Sequence, residues 1–139
     1  MLKTTETLDY KTIFDMMPGM CLILDISFNI IAQNSEHARA THSVSADVVG
    51  RPLFEVFPDN PNRTGATGVA SVRESLVKVL KTRKADAMPT VRYDVQRDDG
   101  SFEPRYWAIT NTPILGEDGY VKWIVNHAQD VTAFAKLSE

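Results

Sequence analysis

The sequence predicts an α+β domain: one five-stranded antiparallel sheet, short helices laid across one face, and a further helix flanking the N-terminus. Three observations carry this. Two short apolar runs, Met20 to Leu24 and Phe28 to Ala32, are separated by Asp25-Ile26-Ser27, a length that fits a β-hairpin. Near the other end, turns at Asp99-Gly100 and Asp118-Gly119 punctuate a stretch rich in β-branched and aromatic residues. Between these two hairpin regions the apolar period changes to that of a helix.

Taken in order, residues 8–17 read as a helix, because Tyr10, Ile13, Phe14 and Met17 recur at i, i+3, i+4 and i+7 and form one apolar stripe. Pro18-Gly19 ends it. Neither following apolar run alternates cleanly, so cover is expected on both faces of these strands. Asn34-Ser35 supplies a cap for a short helix through Thr41, since either side-chain oxygen accepts an orphan backbone N–H. Gly50-Arg51-Pro52 opens a brief segment, Leu53 to Phe57, closed by Pro58, and Asp59 to Gly68 reads as an exposed loop. The longest helix spans 69–83 with Val69, Val72, Leu76, Val79 and Leu80 on its buried face. Lys81, Arg83 and Lys84 crowd its negative pole.

The remainder reads as strand. Val91, Tyr93 and Val95 alternate with Arg92, Asp94 and Gln96, a half-buried pattern. A turn at Asp98-Asp99-Gly100 leads into a long strand, Phe102 to Leu115, and a turn at Glu117-Asp118-Gly119 leads into the last, Tyr120 to Ala128. That strand runs on to Asp130-Val131-Thr132, where Thr132 is placed to cap a following helix. The sheet face away from the middle helices is left for the N-terminal helix, or a second copy of the chain, to cover.

Composition narrows the function. The 139 residues fit one domain with one core. With 15 basic and 18 acidic residues the formal net charge is −3, so neither nucleic acid nor a membrane surface is an expected partner. No apolar run approaches the roughly 20 residues that cross a bilayer, and Met1 to Glu6 lacks the apolar stretch of a secretory signal. The single cysteine, Cys21, has no internal disulfide partner, which favours a reducing, cytoplasmic setting.

Catalytic and metal motifs are missing. There is no Cys-x-x-Cys, His-Glu-x-x-His or Gly-rich phosphate loop. Gly65-Ala66-Thr67-Gly68 reads as a flexible loop opening the long helix, and the pairs Asp98/Asp99 and Glu117/Asp118 are explained by turn chemistry. His37 and His42, five residues apart, point away from one another on a helix and make no metal pair. His127 reads as a hydrogen-bonded strand residue, and Cys21 as buried, inert sulfur. No catalytic residue and no metal site are expected. Arg105 and Trp107 share strand parity, giving either a cation–π contact or part of a dimer contact.

Several segments together resemble the PAS fold across residues 10–132. They are Met17-Pro18-Gly19 with Leu22-Ile23-Leu24-Asp25, Phe28 through Asn34, Gly50 through Pro58, the two late Asp-Gly turns, Arg105-Tyr106-Trp107 with Asn111-Thr112-Pro113, and the closing Asp130-Val131-Thr132. The resemblance implies a flanking helix at 1–18, a PAS core at 19–132 and the start of a linker helix at 133–139. It implies a pocket between sheet and helices, with Ile23, Leu53, Phe57, Leu76, Tyr93, Trp107 and Asn111 as candidates to line it; the same side chains would also make an ordinary filled core. Asp130 and Thr132 become the expected relay to an output helix.

Cofactor chemistry known in PAS relatives finds little support. In light-sensing LOV members a reactive cysteine follows the glycine of the short central helix, whereas Gly50-Arg51-Pro52-Leu53 puts leucine there, so a flavin adduct is not expected. Haem-binding members commonly use a histidine on the long helix. Val69 to Lys84 has none, which leaves a haem only His42 or His127, and no cofactor is expected.

The resemblance implies the signal-input module of a larger bacterial protein, and the Arg105 to Pro113 motif favours a sensor histidine kinase. The chain is then expected to be a fragment, or a domain working with others. Its partners would be an output domain, a second copy and a possible small-molecule ligand. One alternative is a ligand-free dimerisation module of a diguanylate cyclase or transcription regulator, pairing through Tyr10, Ile13, Phe14 and Met17. Another is a small cone-shaped α+β enzyme using His127 or a buried Asp as base.

Overall fold

The computed structural model describes residues 7–137; the ends of the expected flanking and linker helices, at 1–6 and 138–139, lie outside the described residues. Helix α1 (Tyr10–Met16) leads to strands β1 (Met20–Leu24) and β2 (Ile30–Gln33). Four helices follow: α2 (Ser35–Ala40), α3 (Ser45–Val48), α4 (Leu53–Val56) and α5 (Gly68–Thr82). The chain finishes with β3 (Asp86–Ala87), β4 (Val91–Arg92), β5 (Val95–Gln96), β6 (Phe102–Glu103), β7 (Tyr106–Leu115), β8 (Val121–Asp130) and α6 (Thr132–Leu137).

The main sheet is antiparallel with order β2-β1-β8-β7-β3, and β4 also pairs with β7. Asp86 lies opposite Asn111 and Val91 opposite Trp107, so β3 and β4 are two pieces of one edge. Five strand positions result. Pro89, which has no N–H to give a ladder, sits at the break. Register across the centre is set by the long β7–β8 pairing, which places Asn111 opposite Asn126 and Ile109 opposite Ala128.

One face of this sheet carries the core. Leu22, Leu24, Ile109, Ile124 and Ala128 face Val72, Leu76 and Val79 of α5 and Leu53 of α4. Burying such side chains stabilises by about 1.5–3 kcal/mol each. Helix α5 ends at Arg83, which takes the left-handed conformation (φ 58°) and stacks its guanidinium 4.6 Å over the Tyr120 ring.

Several elements differ from expectation, each for a local reason. The second strand starts at Ile30 rather than Phe28, because the Asp25 carboxylate accepts from Ser27 and Asn29 backbone N–H groups and holds 25–29 in a turn. Phe28 itself has φ 65°. The long strand expected from Phe102 splits at Pro104. The Val91–Gln96 alternation also breaks. Asp94 turns inward and is buried, held by Arg92 (3.0 Å) and Asn60 (3.0 Å). Helix α1 neighbours α2, and none of its residues is buried.

Arg105 makes no cation–π contact with Trp107: it pairs with Glu103 (3.1 Å) and Asp130 (3.4 Å), while the buried Trp107 indole donates to the Tyr93 carbonyl (2.7 Å). No helix among the described residues is long and apolar enough to cross a membrane.

Candidate ligand-binding site

Between the sheet and helices α2, α4 and α5 lies a partly open cavity of about 210 Å³. Its floor is the inner face of the sheet: Met20 and Leu22 from β1, Trp107 and Ile109 from β7, Asn126 and Ala128 from β8. Its roof is Leu53, Phe54 and Val56 of α4, Phe57 beyond it, and Val72 of α5. The β5–β6 hairpin forms the lip, contributing Gln96, Arg97 and Phe102. Glu103 clips this lip to the end of α2 through His42 (3.0 Å) and also holds Arg97 (3.3 Å).

Four residues picked out by the sequence, Leu53, Phe57, Tyr93 and Trp107, line this space. Ile23, Leu76 and Asn111 do not. Ile23 has the opposite strand parity to Leu22 and faces Val125 on the other side of the sheet. Leu76 is wholly buried in the core beside the cavity. Asn111 lies one layer behind it, fully enclosed and hydrogen-bonded to Ser75 and Asn126.

Tyr93 is positioned by its contacts. Its hydroxyl donates to the Phe57 carbonyl, and burial pushes its phenol well above the usual tyrosine range. A Cβ on Gly68 would stand 2.7 Å from the Tyr93 ring, so this ring packs against the first turn of α5 only because residue 68 is glycine. Asp59 accepts from the Val69 N–H and anchors that turn.

Of the polar side chains in the cavity that were not among the expected site residues, two each leave an atom without a partner. His37, on α2, is 6% exposed and meets the Phe57 ring edge-on, with centroids 5.4 Å apart. Its protonation follows from a chain of hydrogen bonds. Thr41 gives its hydroxyl proton to the His37 carbonyl (2.7 Å), so Ser43 must donate to Thr41 and accept from Gln33 Nε2 (2.8 Å). That same nitrogen faces His37 Nδ1 (3.0 Å), which therefore accepts and leaves the proton on Nε2. Burial lowers the His37 pKa to about 4, so the ring is neutral. Among the described residues none accepts from Nε2–H.

Asn126, on β8, is also 6% exposed. Its Nδ2 donates to Asn111 Oδ1 (2.7 Å), while its own Oδ1 has no donor among the described residues. Among the described residues no fully enclosed side-chain nitrogen or oxygen lacks a partner, so these free atoms open onto the cavity. The signal for Asn126 was a polar residue in register with the buried Ile124 and Ala128. For His37 the sequence offered no such signal, since Gln33 ends β2 and lies outside the helix that carries His37.

The charged wall residue Asp94 is already committed. Burial would raise its pKa, but hydrogen bonds from Arg92 and Asn60 override that and hold it below the usual carboxylate range. Its inner part thus offers apolar walls with one neutral donor and one neutral acceptor, while Gln96, Arg97 and Asp98 stand at the lip, and this inner part suits an uncharged, mostly apolar molecule. At roughly 30 Å³ per water the volume equals about seven waters, room for one small molecule.

Other candidate residues lie elsewhere. Cys21 faces away from the cavity, pairs with His127 across the sheet, and has its thiol pKa raised by burial. His127 is exposed on that outer side, pressed close to Gly19, and cannot serve as a base within the cavity. Asp130 Oδ1 accepts from both the N–H (2.9 Å) and hydroxyl (2.5 Å) of Thr132, and Thr132 Oγ1 accepts from Tyr106 N–H (2.9 Å). This knot joins the end of β8 to the start of α6. Tyr10, Ile13 and Met17 are exposed on or just beyond α1, and Phe14 is half-buried.

The sequence matches the family model for the PAS fold over residues 14–136. No curated protein matches it. Among solved structures it is similar to the PAS domain of a Colwellia psychrerythraea protein, with TM-score 0.67 and 14% identity over 89% of this chain and 95% of that one. It is similar to a sensory box sensor histidine kinase from Vibrio cholerae, with TM-score 0.60 and 15% identity over 88% of each. It is similar as well to the LOV protein of Rhodobacter sphaeroides, with TM-score 0.64 and 15% identity over 87% of this chain. The match spans 64% of that LOV protein, somewhat less than two thirds. At these identities the structural likeness speaks to the fold alone, while the family model takes in most of the sequence: the chain belongs to the PAS family and is a PAS sensor domain.

Proposed function

We propose that this domain is the cytoplasmic signal-input module of a larger bacterial protein and that it binds a small uncharged molecule in the cavity between sheet and helices. The observation that carries the reading is the pair of unsatisfied, oppositely polar atoms, His37 Nε2–H and Asn126 Oδ1, on the inner walls of the cavity, whose charged residues lie at its lip and edge. A filled core would leave neither open. On this reading residues 19–132 are the PAS core, flanked by 1–18 and 133–139.

Occupancy reaches the output through β8. Asn126 and Ala128 line the cavity, and Thr132 opens α6 six residues after Asn126, roughly 20 Å along an extended strand. A ligand that binds one arrangement of β8 better than another shifts the Asp130–Thr132 knot and the helix it starts. A two-component sensor histidine kinase is the parent we favour, supported by the Arg105 to Pro113 motif and by the fold shared with the Vibrio cholerae kinase.

Native mass spectrometry of the purified protein tests this, with an added small mass as the expected result. Leu53→Trp, which fills the cavity from α4, should remove that mass while leaving the fold intact. An unliganded wild type that gains no stability from any small neutral compound would count against the reading.

A second role is favoured by the exposed stripe on and just beyond α1, where Tyr10 and Met17 are 73% and 41% exposed. Self-association through Tyr10, Ile13, Phe14 and Met17 would cover it. Ile13→Glu should then shift the sedimentation coefficient to that of a monomer, and an unchanged value would refute the contact.

A further inference from the structure

We propose that Asp86, outside the cavity, dictates which hydrogen-bonding edge of a ligand the cavity accepts, by fixing the side-chain amide of Asn126 through Ser75 and Asn111. The inference deepens the ligand-site reading above and rests on it.

The argument is one of proton order. Asp86 is paired with Lys78 (3.2 Å), and its ionised carboxylate only accepts. Ser75 therefore donates its single hydroxyl proton to Asp86 Oδ2 (2.7 Å). Ser75 Oγ is then left as an acceptor, so the group that approaches it at 2.9 Å must be the amide nitrogen of Asn111. Asn111 in turn points its Oδ1 at Asn126, and only the Asn126 nitrogen can donate to it (2.7 Å). The carbonyl oxygen of Asn126 is what remains for the cavity.

Each link is forced by the one before, and the chain is anchored at a carboxylate that touches no ligand. Ser75, Asn111 and Asn126 are all buried, which strengthens each of these hydrogen bonds. The ligand is thereby specified further: uncharged, mostly apolar, and carrying an N–H or O–H directed at β8. Without the carboxylate, Ser75 is free to donate to Asn111 instead. The two amides can then turn over and present an N–H to the cavity. Asp86, Ser75 and Asn111 are positioning residues.

Indole and benzofuran make a matched pair of neutral probes, alike in shape and differing in a ring N–H against a ring oxygen. The wild type should bind indole about tenfold more tightly, the value of one hydrogen bond of ordinary strength. In Asp86→Ala that preference should fall towards unity, whereas Lys78→Ala, which keeps the carboxylate, should retain it. Asp86 lies on a short edge strand with its side chain partly exposed, so the variant leaves the core in place.

A ligand-free measurement accompanies this: hydrogen exchange of the Asn126 side-chain amide should be slow in the wild type and faster in Asp86→Ala. Equal indole-to-benzofuran ratios in the wild type and Asp86→Ala would overturn the proposal. A wild type that binds neither probe overturns the ligand-site reading. The exchange rates then decide the amide order alone: acceleration in Asp86→Ala upholds it, and unchanged rates overturn it.

Discussion

A neutral imidazole enclosed beneath α2 has a consequence for stability that can be measured. His37 titrates at about 4 when folded and near 6.5 when unfolded. Below pH 6.5 the unfolded chain takes up a proton that the native protein refuses. The stability this group contributes is therefore fully present above pH 6.5 and is lost as the pH falls towards 4. Between pH 7 and pH 5 the loss should be about 2 kcal/mol. Urea unfolding at the two values should show it in the wild type, and His37→Gln should flatten that part of the profile. An equal slope in both proteins would show that the ring is not held neutral.

At this same scale the sequence was only partly informative. Leu53, Phe57, Tyr93 and Trp107 could be placed at a cavity because apolar and aromatic residues on facing elements converge there. Asn111 and Asn126 could be seen as polar residues in buried register. Which of them faces the cavity and which stands behind it depends on tertiary packing against Ser75 and Met88. His37 was passed over because it was weighed only with His42 as a metal pair, and five residues apart on a helix the two point away from one another; His42 in fact pairs with Glu103.

Among the elements, α2 depends on a residue that works in two directions. Asn34 Oδ1 accepts from the His37 N–H (3.1 Å), capping the helix, and from the Cys21 N–H (3.0 Å) on β1. Its amide nitrogen donates to the Gly19 carbonyl (2.9 Å). Asn34→Ala should cost about 2–4 kcal/mol, the cap plus an orphaned buried N–H. Chemical denaturation checks the figure, and a cost below that of a cap alone would mean β1 does not need the tie.

The first turn of α5 makes the complementary case. Gly68→Ala improves helix propensity by up to about 1 kcal/mol yet drives a Cβ into Tyr93. The clash, about 1–3 kcal/mol, should win and lower the melting temperature. A stabilised variant would mean the ring has room to move. The cap at Asn34 was legible because it is local chemistry. The need for glycine at 68 was not, because the ring that imposes it comes from the link between β4 and β5, 25 residues later.

For the whole molecule, the antiparallel hairpins at the two ends of the chain and the helical middle were legible, because turn residues and apolar period specify them locally. The edge was not. Pro104 interrupts pairing where a continuous strand from Phe102 was expected, β3 at Asp86–Ala87 had no clear alternation to announce it, and the inward turn of Asp94 depends on Asn60 reaching it from a distant loop. The cavity exists because the short helices α2 and α4 roof only part of the sheet that α5 covers elsewhere. Its contents are a property of the assembled fold rather than of any one segment.

The direct measurement of the central claim is chemical-shift mapping of the labelled domain during titration with indole. Saturable shifts should gather on Leu22, Leu53, Phe57, Val72, Trp107 and Asn126, and fade along β8 towards Thr132. No saturable shift, or shifts confined to Tyr10, Ile13 and Met16 on α1, would contradict it.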